Sequence, residues 1–259
     1  MSDSKPAKQR LDVSLVTRGL CESRQMAQRL ILAGEVMLND RVADKSSITV
    51  KEEDRVDLKV KPRFVSRGGL KLEGALLTFG VDPEGFVCLD AGASTGGFTD
   101  CLLQSGAKKV FAFDVGTNQL AWKMRNDPRV IFREQFNLRH LDPRDVPDPI
   151  DLAVFDVSFI SLTLVLGPVL RVLHPGHGQI ICLIKPQFEL TREDVGRGGI
   201  VRDPALHQRA VDKIRLWIEE HTLLQWKGVM ESPIKGTDGN VEFLAWIGPT
   251  KADAQAGLV

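Results

Sequence analysis

The chain has 259 residues, enough for one large domain with a small one beside it. Hydrophobic residues make up 43% and charged residues 26%, an ordinary balance for a soluble fold that buries a core of its own. Lys and Arg total 34 against 34 Asp and Glu, so no net field draws the molecule to nucleic acid or anionic lipid, and any nucleic-acid contact must come from local patches.

Residues 1–61 read as a separate unit. Two short helices are expected, Arg10 to Arg18 and Ser23 to Ala33, with Ser23 as N-cap, an apolar face at Ala27, Leu30 and Ile31, and Gly34 as the stop. VMLNDRVA then predicts a strand, a turn at Asn39 and Asp40 and a return strand, with a further strand from Arg55 to Val60. Basic side chains recur at Arg10, Arg18, Arg24, Arg29, Arg41 and Lys45, a spacing that can line one surface with phosphate-reaching groups; charge counting alone would favour a solvated helix face. The run RLDVSLVTRGLCESRQMAQRLILAGEVMLNDRVADK resembles the S4 RNA-binding domain. That resemblance implies contact with structured RNA, and Arg63 and Arg67 extend the set of candidate RNA contacts.

A linker is expected around KVKPRF, Lys59 to Phe64, with residues 62–65 as the boundary between the domains, because Pro62 interrupts regular pairing. Ser66 to Phe79 then predicts a helix with Leu70, Leu72, Ala75, Leu76 and Phe79 on its apolar face and Lys71 and Glu73 between them. It packs on the larger domain, residues 66–249.

Val87 to Leu89 predicts the end of a buried strand capped by Asp90, followed by a glycine turn at Gly92, Gly96 and Gly97 and an amphipathic helix. Such a turn brings the backbone close to a ligand and offers free N–H groups at the helix start. The spacing G-x-x-x-G-G is not that of a dinucleotide fold, and an acid at its mouth suits the cationic end of S-adenosylmethionine (SAM) better than a pyrophosphate. Further strands are expected at Val110 to Phe113, ending at Asp114, at Val130 to Phe132, at Leu152 to Phe155, ending at Asp156, and at Gln179 to Ile184, ending at Lys185. Alternation with helices predicts an α/β, Rossmann-like domain with a mostly parallel sheet, whose ligands bind at the carboxyl ends of the strands. A helix from Asp203 to Glu220 and a closing strand pair, Leu224 to Val229 and Val241 to Ile247, complete it; residues 250–259 read as a frayed tail.

The four cysteines, Cys21, Cys88, Cys101 and Cys182, form no C-x-x-C pair and three stand in apolar segments, which predicts a reducing, cytoplasmic setting and no metal site. MSDSKPAKQR lacks the apolar stretch of a secretory signal, and Asp156, Pro168 and Arg171 interrupt the most apolar region, Val154 to Leu173; no membrane association is expected.

Asp114 is placed to accept both ribose hydroxyls of a nucleoside cofactor. FDVSFIS lacks the N-P-P-aromatic pattern of exocyclic-amine methylation, and no cysteine follows a proline as the nucleophile of cytosine C5 methylation does. Asp156, Lys185, Glu242 in GNVEFL and Lys71 in SRGGLKL remain. A ribose 2′-hydroxyl is a very weak acid, so methylating it calls for a base, which a lysine can be only when neutral. A second amine and desolvation lower a lysine pKa while carboxylates raise it, so such a cluster can balance these terms. Lys185 is assigned as the base, with Asp156 and Glu242 holding it and the acceptor ribose, and Lys71 setting the field.

SRGGLKL, LDAGASTGGFTD, FDVSFISL, IKPQFE and GNVEF, in this order behind the S4-like unit, resemble the TlyA-like family, proteins similar to FtsJ-type ribose methyltransferases. The resemblance implies SAM-dependent 2′-O-methylation of cytidines in 16S or 23S ribosomal RNA, with a catalytic tetrad falling on Lys71, Asp156, Lys185 and Glu242. It implies cofactor contacts from Asp90, Gly92, Ser94, Gly96, Gly97, Phe98, Asp114, Phe136, Asn137 and Asp156. Its implied partners are rRNA or ribosomal subunits, not DNA. Phe98 stands where FtsJ-type enzymes place a tryptophan, and the chain has no tyrosine to stack on RNA bases. The alternatives are a ribosome-assembly factor or SAM sensor without catalysis and, because the family also bears the label hemolysin, a membrane-acting toxin.

Overall fold

In the computed structural model, which describes residues 8–21, 23–59, 63–236 and 238–250, the chain divides after Arg63 into two units. The first contains β1 (Gln9–Arg10), α1 (Leu11–Thr17), α2 (Arg24–Leu32), β2 (Val36–Leu38), β3 (Arg41–Val42), β4 (Thr49–Val50) and β5 (Val56–Leu58). The Ser23 side chain accepts from the Met26 N–H and so caps α2, while Gly34, at φ +68°, takes the left-handed turn that ends it. Leu11 and Leu15 of α1 and Ala27 and Ile31 of α2 bury against Val36, Val50 and Val56. In the β2–β3 hairpin, Asn39 (φ 48°) and Asp40 (φ 64°) form the left-handed turn that matches strand twist, with Asn39 also held by Asp54 and the Arg55 N–H.

The second unit contains α3 (Gly68–Phe79), β6 (Val87–Ala91), α4 (Gly97–Gln104), β7 (Lys109–Phe113), α5 (Trp122–Arg125), β8 (Val130–Arg133), β9 (Leu152–Phe155), α6 (Thr163–Leu170), β10 (Gln179–Ile184), α7 (Pro186–Glu189), α8 (Pro204–His221), β11 (Gln225–Glu231) and β12 (Phe243–Gly248). Its seven-stranded sheet runs β11-β12-β10-β9-β6-β7-β8. The five strands from β10 to β8 are parallel, while β12 pairs antiparallel with β10 on one side and β11 on the other, so it alone runs against the rest. Side chains alternate between two cores, Leu89, Phe113 and Phe155 on one face and Cys88, Leu152 and Val154 on the other, so both faces are covered. Asp203 caps α8 by accepting from Ala205 N, as its position before Pro204 predicts.

The structure differs from the sequence expectations in three places. Phe64 and Val65, expected in the linker, belong to the second unit: Phe64 is buried beside Gly69, and Val65 N donates to Asp100 Oδ2 at 2.9 Å. Lys61 and Pro62 lie outside the described residues, as do residues 251–259 of the expected tail. On α3, Leu70 is 41% exposed and Lys71 is buried, because the inward stripe is Lys71, Leu72, Ala75 and Leu76, at i, i+1, i+4 and i+5. Strand β6 runs on to Ala91, which turns Asp90 into the core. No helix among the described residues is long and apolar enough to cross a membrane; the apolar region after Val154 instead divides into β9, a loop and α6.

Candidate active site

Parallel strands end together, so Asp114, Asp156 and Lys185, which follow β7, β9 and β10 directly, stand on one edge of the sheet. An antiparallel neighbour brings its beginning to that edge. Ile184 pairs with Phe243, so the residues just beyond the pair are Lys185 and Glu242. Pairing of Ala91 with Phe155 likewise sets Gly92 beside Asp156, and Asp156 N donates to Ala91 O at 3.0 Å. Gly92 has φ +90°, and a Cβ there would lie 2.8 Å from the Asp156 carbonyl oxygen. The glycine therefore lets the first loop close over the end of β9.

Two neighbouring cavities open on this edge and share Gly92, Ser94, Asp156 and Ser158. The first, of about 340 Å³, is within the roughly 300–1,000 Å³ range of small-molecule sites. Its polar wall includes Asp114, Gly116, Gln119 and Asn137. Asp114 Oδ2 accepts from Ser94 N at 2.8 Å and Oδ1 from Gly116 N at 2.6 Å. Both oxygens are fixed by backbone donors, and each keeps acceptor capacity for a ligand. Asn137 is held by accepting from Arg139 N at 3.1 Å.

The second cavity is lined by Lys71, Asp156, Lys185 and Glu242, together with Arg67, Gly97 and Phe98. Lys71 Nζ donates to Glu242 Oε2 at 2.6 Å, and Lys185 Nζ pairs with Asp156 Oδ1 at 2.7 Å. Lys71, Lys185 and Glu242 are 9%, 8% and 3% exposed, so the Lys71–Glu242 pair lies largely out of water, while Asp156 is partly exposed. Lys185 Nζ also donates to Ser158 Oγ at 2.9 Å. Ser158 was not among the residues that the sequence singled out, although it stands inside the FDVSFIS motif; nothing local marks a serine whose partner comes from another strand.

Three expected cofactor contacts line neither cavity. Asp90 is fully buried beneath the turn, where Thr99 Oγ1 donates to its Oδ2 at 2.6 Å and Oδ1 has no hydrogen-bond partner among the described residues. Burial pushes its pKa up to about 7, against the Thr99 hydrogen bond, and the nearby Asp156 charge adds to the rise. Gly96 backs onto Leu120 and Met124, and the Phe136 ring packs on Phe113 at 4.8 Å. These residues shape the pocket from behind. Gly97 serves packing as well, since a Cβ there would collide with Ser66 Oγ, and Phe98 lines the Lys71 cavity rather than the Asp114 one.

The candidate RNA contacts divide by what holds them. Arg10 Nε and Arg24 Nε both donate to the wholly buried Asp12 carboxylate, at 3.0 and 2.9 Å, which fixes their guanidinium groups at the surface. Arg18 donates to the carbonyls of Lys51, Glu52 and Asp54, so it pins the 51–54 turn instead of reaching freely for phosphate. Arg29, Arg41 and Lys45 are exposed, as is Arg63 at the end of the first unit. Arg67 lines the cavity of the two ion pairs.

Residues 64–248 match the FtsJ-like methyltransferase family and residues 9–56 match the S4 domain. The chain is 45% identical to the 16S/23S rRNA (cytidine-2′-O)-methyltransferase TlyA of Mycobacterium tuberculosis, over 92% of this chain and 89% of that one. It is 43% identical to Hemolysin A of Brachyspira hyodysenteriae, over 91% of this chain and 98% of that one. A solved structure from Streptococcus thermophilus, described as a hemolysin candidate, is 44% identical and superposes with a TM-score of 0.71 over 96% of this chain and 90% of the other.

Proposed function

The chain belongs to the FtsJ-like methyltransferase family, with an S4 domain ahead of the methyltransferase unit, and on that premise we propose that it methylates the 2′-oxygen of a cytidine ribose in ribosomal RNA, using SAM, in the cytoplasm. The observation that carries the reading is the convergence of two ion pairs, Lys71–Glu242 and Lys185–Asp156, on a cavity that neighbours the one Asp114 lines and shares Gly92, Ser94, Asp156 and Ser158 with it.

The residues present fit SAM. Asp114, with both oxygens fixed by backbone donors, would hold the ribose hydroxyls, Asn137 lies on the same wall, and Gly92 leaves the backbone bare where Asp156 adjoins it. When bound, SAM supplies a methyl group on a cationic sulfur, open to attack by an oxygen nucleophile. Lys185, in its neutral form, takes the proton from the acceptor 2′-hydroxyl as the oxygen attacks, and becomes an ammonium that Asp156 stabilises. Glu242 neutralises Lys71, and Lys71 in turn presents positive charge where the oxygen becomes an oxyanion. Burial of Lys71, Lys185 and Glu242 keeps their charges strong. The S4 unit, through Arg10 and Arg24 on Asp12 and through exposed Arg29, Arg41 and Lys45, supplies affinity for the RNA backbone.

Incubation with methyl-labelled SAM and rRNA or isolated ribosomal subunits, followed by mapping of modified riboses, tests the reading. The expected product is a 2′-O-methylcytidine. Binding of both SAM and rRNA without label in any ribose would favour the assembly-factor or sensor alternative and count against catalysis.

A further inference from the structure

Lys185 Nζ donates a hydrogen bond to Ser158 Oγ at 2.9 Å and lies 2.7 Å from its ion-pair partner Asp156 Oδ1. A neutral amine has two N–H bonds and one lone pair. With one N–H on Ser158 Oγ and the Asp156 carboxylate against the amine, rotation about the Cε–Nζ bond is restricted, and all three groups line the same cavity. We infer that Ser158 is a positioning residue for Lys185: its hydroxyl takes one N–H and so aims the lone pair at the acceptor hydroxyl. The inference rests on the methyltransferase reading and adds to it a residue that the tetrad does not contain.

The loop that carries Ser158 is built to hold this geometry. Asp156 and Ser158 are two residues apart, so one short segment supplies both partners of the amine. Its far end is tied to α7, the helix that begins immediately after Lys185: Leu162 N donates to Glu189 Oε1 at 2.8 Å, and Ser161 Oγ to Glu189 Oε2 at 2.5 Å. Lys213 Nζ of α8 joins Glu189 Oε2 at 3.0 Å and balances that buried carboxylate. Amine and hydroxyl are thus referred to one rigid element, and rotation about the Cε–Nζ bond of Lys185 is what the Ser158 contact fixes. The other charged groups that line this cavity are Arg67 just before α3, Lys71 on α3 and Glu242 just before β12.

Ser158→Ala and Ser158→Thr test the assignment. Ser158 is exposed on the cavity wall, so neither change removes core packing. In Ser158→Ala the kcat for methyl transfer falls about tenfold to a hundredfold, a larger change than in the Kd for SAM, whose cavity Ser158 also lines. Lys185 is acetylated faster by dilute acetic anhydride, relative to the other lysines, as read by mass spectrometry of the peptides. Ser158→Thr, which keeps a hydroxyl, recovers kcat and the slow labelling. Unchanged Lys185 labelling in Ser158→Ala overturns the inference, as does a loss of kcat that Thr fails to recover. Acylation needs no turnover, so it decides this point independently of methyl transfer, whereas wild-type protein that transfers no methyl group counts against the function alone.

Discussion

Lys71 Nζ and Glu242 Oε2 lie 2.6 Å apart although 171 positions separate them in the chain. The pair joins α3, at the front of the second unit, to the start of β12, its closing strand. Removing one partner leaves the other charge buried and unpaired, so Lys71→Met should cost about 3–5 kcal/mol of stability. Lys71→Met with Glu242→Leu should cost clearly less than the two single changes added together. Urea unfolding of the three variants measures this coupling, and additive losses would mean that the contact is not made.

Asp114 is held by two backbone N–H groups and has acceptor capacity left for a ligand. Asp114→Ala should weaken SAM binding by about 1.5–3 kcal/mol, roughly tenfold to a hundredfold, the range for hydrogen bonds to charged groups. Titration calorimetry reads the change directly. Phe136→Leu, at a position facing the core, should alter SAM affinity much less.

Asp90 makes stability depend on pH. Its pKa when folded is raised from 3.8 to about 7, so between about pH 4 and pH 7 the unfolded chain releases a proton that the folded chain keeps. The stabilisation is full below pH 4 and is lost as pH rises through 7, by an amount on the order of a few kcal/mol. Asp90→Asn should flatten this part of the profile and gain stability relative to the wild type at pH 8 compared with pH 5. Urea midpoints at the two values check the sign.

The basic residues of the S4 unit should separate by role. Arg41→Gln and Lys45→Gln, at exposed positions, should each weaken rRNA binding and reduce the slope of log affinity against log salt by about 1. Arg18→Gln loses its bonds to the 51–54 carbonyls, so it should lower the melting temperature of the first unit while changing the salt slope less. Filter binding across a salt series distinguishes the two.

Most strands of the second unit were legible because their ends carry a double mark: an apolar run closes on a charged residue, as at Phe113–Asp114, Phe155–Asp156 and Ile184–Lys185. The Ser23 and Asp203 caps were legible for a similar reason, since short polar side chains announce helix starts. Asp90 misled because a strand can run one residue past a buried acid when a neighbouring hydroxyl, here Thr99, bonds one oxygen and burial favours the protonated form. Arg18 misled because charge spacing does not reveal which carbonyls a guanidinium reaches. Ser158 was passed over because its meaning depends on Lys185, on the adjacent strand, and the loop between Asp156 and Leu162 is set by Glu189 from α7. Local sequence carries caps and strand ends; the pairing of distant polar groups comes only from the sheet order.

The role of Lys185 is the point on which the account turns, and single-turnover methyl transfer to rRNA by Lys185→Met, measured beside SAM affinity, tests it most directly. Met keeps the apolar stem and removes the amine. The predicted result is a loss in rate on the order of a thousandfold or more with the SAM Kd within a few-fold of wild type. Near-normal transfer by Lys185→Met would contradict it.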